Sequence, residues 1–151
     1  MNKSFLNPSL NLAIIGYGYW GKICFKTLKN IPNICIKYIV TSQKTLTTIP
    51  HSTHLLESWE SLINKDDLDG VIIASPSSTH FKIAKAFINN KIPVFIEKPM
   101  TLCIKEANEL LKLEKKYKQP VVVDHILLFS PAFDFEPVKI SGISKLNFVF
   151  K

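Results

Sequence analysis

The 151-residue chain contains no arginine: all 19 of its basic side chains are lysines, against 12 acidic ones, for a net charge of +7. A basic chain invites a nucleic-acid reading. Base recognition and bidentate phosphate gripping lean on the planar guanidinium fork, however, and that fork is missing. The lysines are also spread out. Their tightest group, "KLEKKYK" at 112–118, is interleaved with Glu114 on a helical pattern and reads as a solvated face. No nucleic-acid partner is expected. Cysteine is scarce too: Cys24, Cys35 and Cys103 stand far apart with no CxxC pair. This argues against a zinc centre and against a disulfide framework, so no metal site is expected and reduced thiols in a cytoplasm are. No apolar run reaches the length of a membrane span, and the N-terminus lacks the apolar core of a signal peptide. The expected location is cytoplasmic.

Glycine is rare as well, and unevenly placed. Of five in the chain, Gly16, Gly18 and Gly21 fall within six residues. They follow "LAII" (12–15), which reads as a buried strand, and precede "WGKICFKTLKN" (20–30), which places Ile23, Cys24, Thr27 and Leu28 near one helical face. The same alternation continues. "ICIKYIV" (34–40) reads as a strand, "THLLE" as a short one, and "WESLINK" as a helix capped by Ser58. "VIIAS" (71–75), "IPVFIE" (92–97) and "PVVVDH" (120–125) read as strands, with helices over "STHFKIAKAFINN" and, capped by Thr101, "TLCIKEANELLKLEKKYK". Strand and helix in this rhythm predict an α/β fold with a doubly wound, Rossmann-like parallel sheet. The expected domain covers residues 1–128. Residues 129–151 would be a linker and the first strand, "KLNFVFK", of a second α+β domain.

"GYGYWG" fits G-x-G-x-x-G at the strand-to-helix turn, where the pattern carries a mechanism. Gly16 would allow the tight turn, Gly18 would let a pyrophosphate reach the backbone, and Gly21 would let helix and strand lie close. The helix N-terminus would offer its amides to the phosphates. Tyr19 and Trp20 lie inside the motif and are counted with the cofactor loop, with packing as their competing role. A NAD-preferring site usually carries an acid at the end of the second strand. Here that region reads Thr41, Ser42, Gln43, Lys44. Hydroxyls and a lysine without a carboxylate favour NADP(H) over NAD(H).

From "DGVIIASPSSTHFKIAKAFINNKIPVFIEKP" onward the chain resembles the glucose–fructose oxidoreductase/inositol dehydrogenase family, Gfo/Idh/MocA. "GYGYWG", "ASPSSTH" and "EKP" occur in order, each after a strand, and "VVVDHILLFSPAF" takes the place of a "GH…NPA"-like segment. The resemblance implies a nicotinamide dinucleotide held by Gly16, Gly18 and Gly21. It implies a loop of Ser75, Pro76, Ser77, Thr79 and His80 bordering it, although helix capping competes for His80. Glu97, Lys98 and Pro99 would form the motif in which the lysine lies beside nicotinamide and substrate, across a Lys98–Pro99 bond that the resemblance allows to be cis. A cation there polarises a hydroxyl or carbonyl, so Lys98 is the candidate catalytic residue. His125, at the carboxyl edge of the sheet, is a candidate substrate contact. Asp124 stands where the family more often has glycine, either as a charge near the site or as the filler of a bend. The implied activity is hydride transfer between nicotinamide and a sugar, nucleotide sugar or cyclitol.

Such proteins continue into a substrate-binding sheet that supplies a catalytic histidine, and no histidine follows His125 here. The expectation is therefore an incomplete enzyme that binds dinucleotide but turns over no sugar: a truncated product, a fragment, or half of a split protein. A lone strand at 145–151 would self-associate or pair with a partner chain. The alternative is a non-catalytic nucleotide-binding module. A CoA- or methyl-donor-binding domain is disfavoured, because it has no need of the lysine in "EKP".

Overall fold

The computed structural model describes residues 9–43, 46 and 49–126. The expected linker and final strand at 129–151, and Lys44, lie outside them. Six strands form one sheet: β1 (Leu10–Ile15), β2 (Ile34–Val40), β3 (His54–Leu56), β4 (Gly70–Ile73), β5 (Val94–Ile96) and β6 (Val121–Val123). All pairings are parallel and the order is β3-β2-β1-β4-β5-β6. The chain runs outward one way from β1, then returns to β4 and runs outward the other way. The C-terminal ends of β1 and β4 therefore frame the switch point, where ligands collect in such sheets.

Among the described residues three α-helices pack on the sheet: α1 (Tyr19–Leu28), α2 (Ser77–Asn89) and α3 (Ile104–Tyr117). Side chains alternate along the strands, apart from one register shift in β2, where Ile36 opposes Leu12 and Tyr38 opposes Ala13, and the core sorts into two clusters. Ala13, Ile15, Val71, Ile73, Val94 and Ile96 face one way and pack with Ile83, Phe87 and Leu110 of α2 and α3. Ile14, Ile36, Ile39 and Ile72 face the other way and pack with Phe25 of α1.

Some boundaries differ from the sequence reading. The helix expected over "WESLINK" is a single 3-10 turn, Trp59–Leu62; Ser58 does cap it, accepting from the Glu60 amide. Four residues remain between that turn and Asp67, whose carboxylate is tied to Tyr38 Oη and Lys37 Nζ, which leaves little length for a longer helix. Helix α3 starts at Ile104 after Cys103, not after Thr101. Thr101 instead turns its hydroxyl to the Cys103 carbonyl at 2.9 Å. In α1 the buried positions are Gly21 and Phe25, while Cys24 and Leu28 are half-buried and Thr27 is exposed. The apolar face expected there looks along a groove instead of into a closed core.

Candidate functional site

At the end of β1 the three glycines differ in their surroundings. Gly16 has φ +93°, and a Cβ on it would stand 2.6 Å from the Ser75 amide and 2.7 Å from the Ala74 carbonyl. Both the conformation and the packing demand glycine. A Cβ on Gly21 would overlap the carbonyl oxygen of Gly16, so α1 can approach β1 only where no side chain intervenes. Gly18 is the reverse case: a Cβ there would meet nothing within 4 Å. Gly18 is also the N-cap of α1, which has no side-chain cap and no acidic residue in its first turn. The first amides of α1 thus face open space, with the positive end of the helix dipole behind them. That is the arrangement a pyrophosphate requires.

Tyr19 and Trp20 follow directly. Tyr19 is 75% exposed and stacks edge-to-face on Trp20, with 5.5 Å between ring centroids. Neither fills a closed core. Tyr17, which the sequence reading passed over, is the buried aromatic of this turn and packs edge-to-face on Phe25.

The end of β2 contributes a small polar turn. Thr41 Oγ1 accepts from the Gln43 amide at 3.2 Å, and Gln43 Nε2 reaches the Tyr17 carbonyl. Ser42 is exposed beside them. No carboxylate stands at this strand end among the described residues 41–43.

Across the switch point, the loop after β4 is pinned to the β1 turn. The Ala74 amide bonds the Ile15 carbonyl at 2.8 Å. Ser75 Oγ and Thr79 Oγ1 lie 2.7 Å apart, and Thr79 also bonds the Pro76 carbonyl. Helix α2 begins at Ser77, with Pro76 as its N-cap and no side-chain cap. His80 does not cap it. It is 1% exposed, with Nε2 2.8 Å from the Ser75 carbonyl and Nδ1 2.8 Å from the Pro99 carbonyl. Each ring nitrogen faces a carbonyl, and the nitrogen that carries the proton donates, so His80 sits between the β4 loop and the β5 loop from beneath.

After β5 come Glu97, Lys98 and Pro99, with a cis bond between the last two. Lys98 and Pro99 are exposed, and Lys98 makes no ion pair among the described residues. Glu97 is 5% exposed, and its Oε1 has no hydrogen-bond partner. Burial first, and the adjacent Asp124 second, push its carboxyl up to about 7 against the partial offset of Lys98. His125 is exposed just beyond Asp124.

Residues 10–125 match a family described as oxidoreductases with an NAD-binding Rossmann fold, Gfo/Idh/MocA. The chain belongs to that family. The oxidoreductase YrbE of Bacillus subtilis strain 168, itself uncharacterized, is 28% identical over 125 residues; the match covers 80% of this chain and 37% of YrbE. The inositol 2-dehydrogenase of Acidothermus cellulolyticus is 27% identical over 131 residues, with coverages of 83% and 38%. A crystal structure from Magnetospirillum magnetotacticum MS-1 superposes with a TM-score of 0.76 at 33% identity, covering 83% of this chain and 41% of the other. The chain thus spans well under half the length of these proteins.

In this Gfo/Idh/MocA domain the sequence-expected residues converge from four strand ends onto one edge. Gly16, Gly18 and Gly21 stand at β1, Thr41 and Ser42 at β2, Ser75–His80 at β4, and Glu97–Pro99 at β5. The fixing role of His80 was not readable from sequence, because its two carbonyl partners lie 5 and 19 residues away. Among the described residues no group of His, Cys, Asp and Glu could hold a metal, and no helix is long and apolar enough to cross a membrane.

Proposed function

We propose that this domain binds a nicotinamide dinucleotide, with NADP(H) preferred over NAD(H), and forms the cofactor half of an oxidoreductase acting on a sugar, nucleotide sugar or cyclitol. The observation that carries the proposal is the open backbone at Gly18, next to two glycines that packing leaves no room to replace. The residues fit the group. Gly16, Gly18, Gly21 and the first turn of α1, with Tyr19 and Trp20, would hold the pyrophosphate. Thr41 and Ser42 would meet the adenosine ribose and its 2′-phosphate, and Ser75, Pro76, Ser77 and Thr79 would border the nicotinamide half. His80 would act from below by fixing both loops.

The bound dinucleotide supplies the hydride acceptor or donor. Lys98, exposed at the end of β5, would present its ammonium to the substrate oxygen and stabilise the charge that develops there. His125 would contact substrate from the end of β6. Relatives support the substrate class: besides the inositol enzyme, a UDP-N-acetylglucosamine 3-dehydrogenase of Acidithiobacillus ferrooxidans is 32% identical over 69 residues.

Titration of the purified chain with NADPH and NADH, followed by nucleotide fluorescence, tests the binding. Saturable binding, tighter for NADPH, is the expected result. Absence of binding by either nucleotide overturns the reading, and equal or tighter binding of NADH overturns the preference.

A further inference from the structure

The face of the sheet that carries α1 holds a groove of about 380 Å³, walled by Trp20, Ile23, Cys24 and Phe95 and ending at Glu97 and Asp124. The two acids are neighbours by register. Ile96 pairs with Val123 and the Asp124 amide bonds the Ile96 carbonyl at 2.9 Å, so the next residues, Glu97 and Asp124, stand side by side past the strand ends. Alternation turns both toward the side of Phe95, the groove side. Two ionised carboxylates cannot satisfy each other, because each only accepts. Glu97 Oε1 is buried and has no donor from any described group. A proton held between the two acids removes the conflict: one becomes a donor and the other stays an acceptor.

We propose that Glu97 and Asp124 form a proton-sharing carboxyl pair that couples one proton to the redox state of the bound nicotinamide. The inference rests on the proposed seat of the nicotinamide beside Lys98. The charged and titratable groups around Glu97 are Asp124 from the end of β6, its own neighbour Lys98, and Cys24 from α1. On α2, His80 stands between the Ser75 and Pro99 carbonyls. The oxidised nicotinamide ring is cationic and the reduced ring is neutral. With its proton the pair carries one negative charge; without it, two. The second charge favours the cationic ring, so binding of the oxidised dinucleotide expels a proton from the pair into solvent, and binding of the reduced form does not. Because burial and the adjacent Asp124 push the Glu97 carboxyl up to about 7, the exchange falls near neutral pH. Asp124 is a positioning residue in this scheme: it touches neither cofactor nor substrate and acts through Glu97.

Two measurements test this on the full chain. The first needs no cofactor. Carboxyl carbon NMR of glutamate-labelled protein, with Glu97 assigned through Glu97→Gln, should show Glu97 titrating near neutrality, and Asp124→Asn should lower that midpoint. An ordinary glutamate midpoint in the parent chain overturns the pair. The second compares dissociation constants for NADP+ and NADPH from pH 5.5 to 8.5. The ratio should move toward the oxidised form with rising pH by roughly threefold to tenfold, the size expected of one charge acting over several ångströms with water-like screening in the open groove. Glu97→Gln should flatten that profile. Binding whose ratio ignores pH overturns the coupling while leaving the dinucleotide site intact. Absence of all binding, alongside a neutral Glu97 midpoint, overturns the seat of the nicotinamide and the coupling with it, and leaves only the shared proton.

Discussion

The two faces of the sheet are built differently from the same strands. One carries α2 and α3, and its contacts Phe87, Ile88, Ile73, Ile96 and Leu110 are fully excluded from water. Among the described residues the other carries α1 as its one helix, over β1 and β2; beyond it, Phe95 and the acid pair open onto a groove. Hydrophobic burial scales with the area withdrawn from water, so the first face supplies most of the stability. The second face and the strand ends hold the groups that stability alone does not call for: an uncapped helix terminus, a glutamate without a donor, an exposed lysine. Folding strength and chemistry are separated by side-chain parity along single strands. Val94 and Ile96 serve the core while Phe95 and Glu97 face the groove.

Paired truncations test this division with the largest effect. Phe87→Ala removes a wholly buried ring and should cost about 3–5 kcal/mol of unfolding free energy in urea. Phe95→Ala, on the groove side, should cost less than half as much, on the order of 1–2 kcal/mol, because its ring is already in partial contact with water. Equal losses would break the comparison and show the groove face to be as tightly packed as the other.

The glycines sharpen it at the next scale. Gly21→Ala forces a methyl group into the Gly16 carbonyl and should destabilise the domain by about 1–3 kcal/mol as α1 is pushed off β1. Gly18→Ala adds a methyl group to open space and should leave the urea midpoint nearly unchanged, while weakening NADPH binding roughly tenfold or more through loss of close backbone approach. If Gly18→Ala binds NADPH like the parent, the phosphates do not sit at that turn.

Thiol chemistry contrasts the groove with the outer surface. Burial, with Glu97 and Asp124 beside it, pushes the Cys24 thiol up to about 11, whereas Cys103 is exposed ahead of α3. Only thiolates react rapidly. A chromogenic disulfide reagent at pH 8, with labelled sites mapped by mass spectrometry, should modify Cys103 well before Cys24. The reverse order would show that the acid pair does not face Cys24.

Much of the architecture was legible because it depends on local pattern. Six apolar runs, each closed by polar or turn residues, mark the six strands, and the spacing of Gly16, Gly18 and Gly21 marks the turn that packing later explains. Helix starts were less legible. Thr101 and Cys103 both precede the α3 pattern, and the choice is made by where Thr101 turns its hydroxyl, not by propensity. The acid pair was half legible. Asp124 stood out as a carboxylate where the family more often has glycine, but its neighbour could be named only once β6 was known to lie beside β5 in a given register. Roles that depend on contacts between distant loops, such as that of His80, leave no local signal.

The smallest expected effect in energy is also the most specific to the groove. A glutamate with an ordinary value of 4.5 in the unfolded chain and about 7 in the folded one binds more protons when folded throughout that interval. Stability therefore falls as pH rises from about 4.5 to 7 and levels off above, where the folded state carries a poorly solvated charge. Asp67 acts in the opposite sense and elsewhere: Lys37 and Tyr38 hold its carboxyl below the usual range, so its contribution is lost only in more acidic solution. The interval from pH 5 to 8 thus reports Glu97 among the shifted carboxylates. Urea midpoints should decline across it by an amount on the order of 1–2 kcal/mol, part of the full linkage being recovered through water in the groove. Glu97→Gln, which keeps the shape and cannot ionise, should remove that part of the decline and be the more stable protein at pH 8. If Glu97→Gln shows the same decline as the parent, Glu97 is not buried as a charge, and the two faces of the sheet differ in packing only.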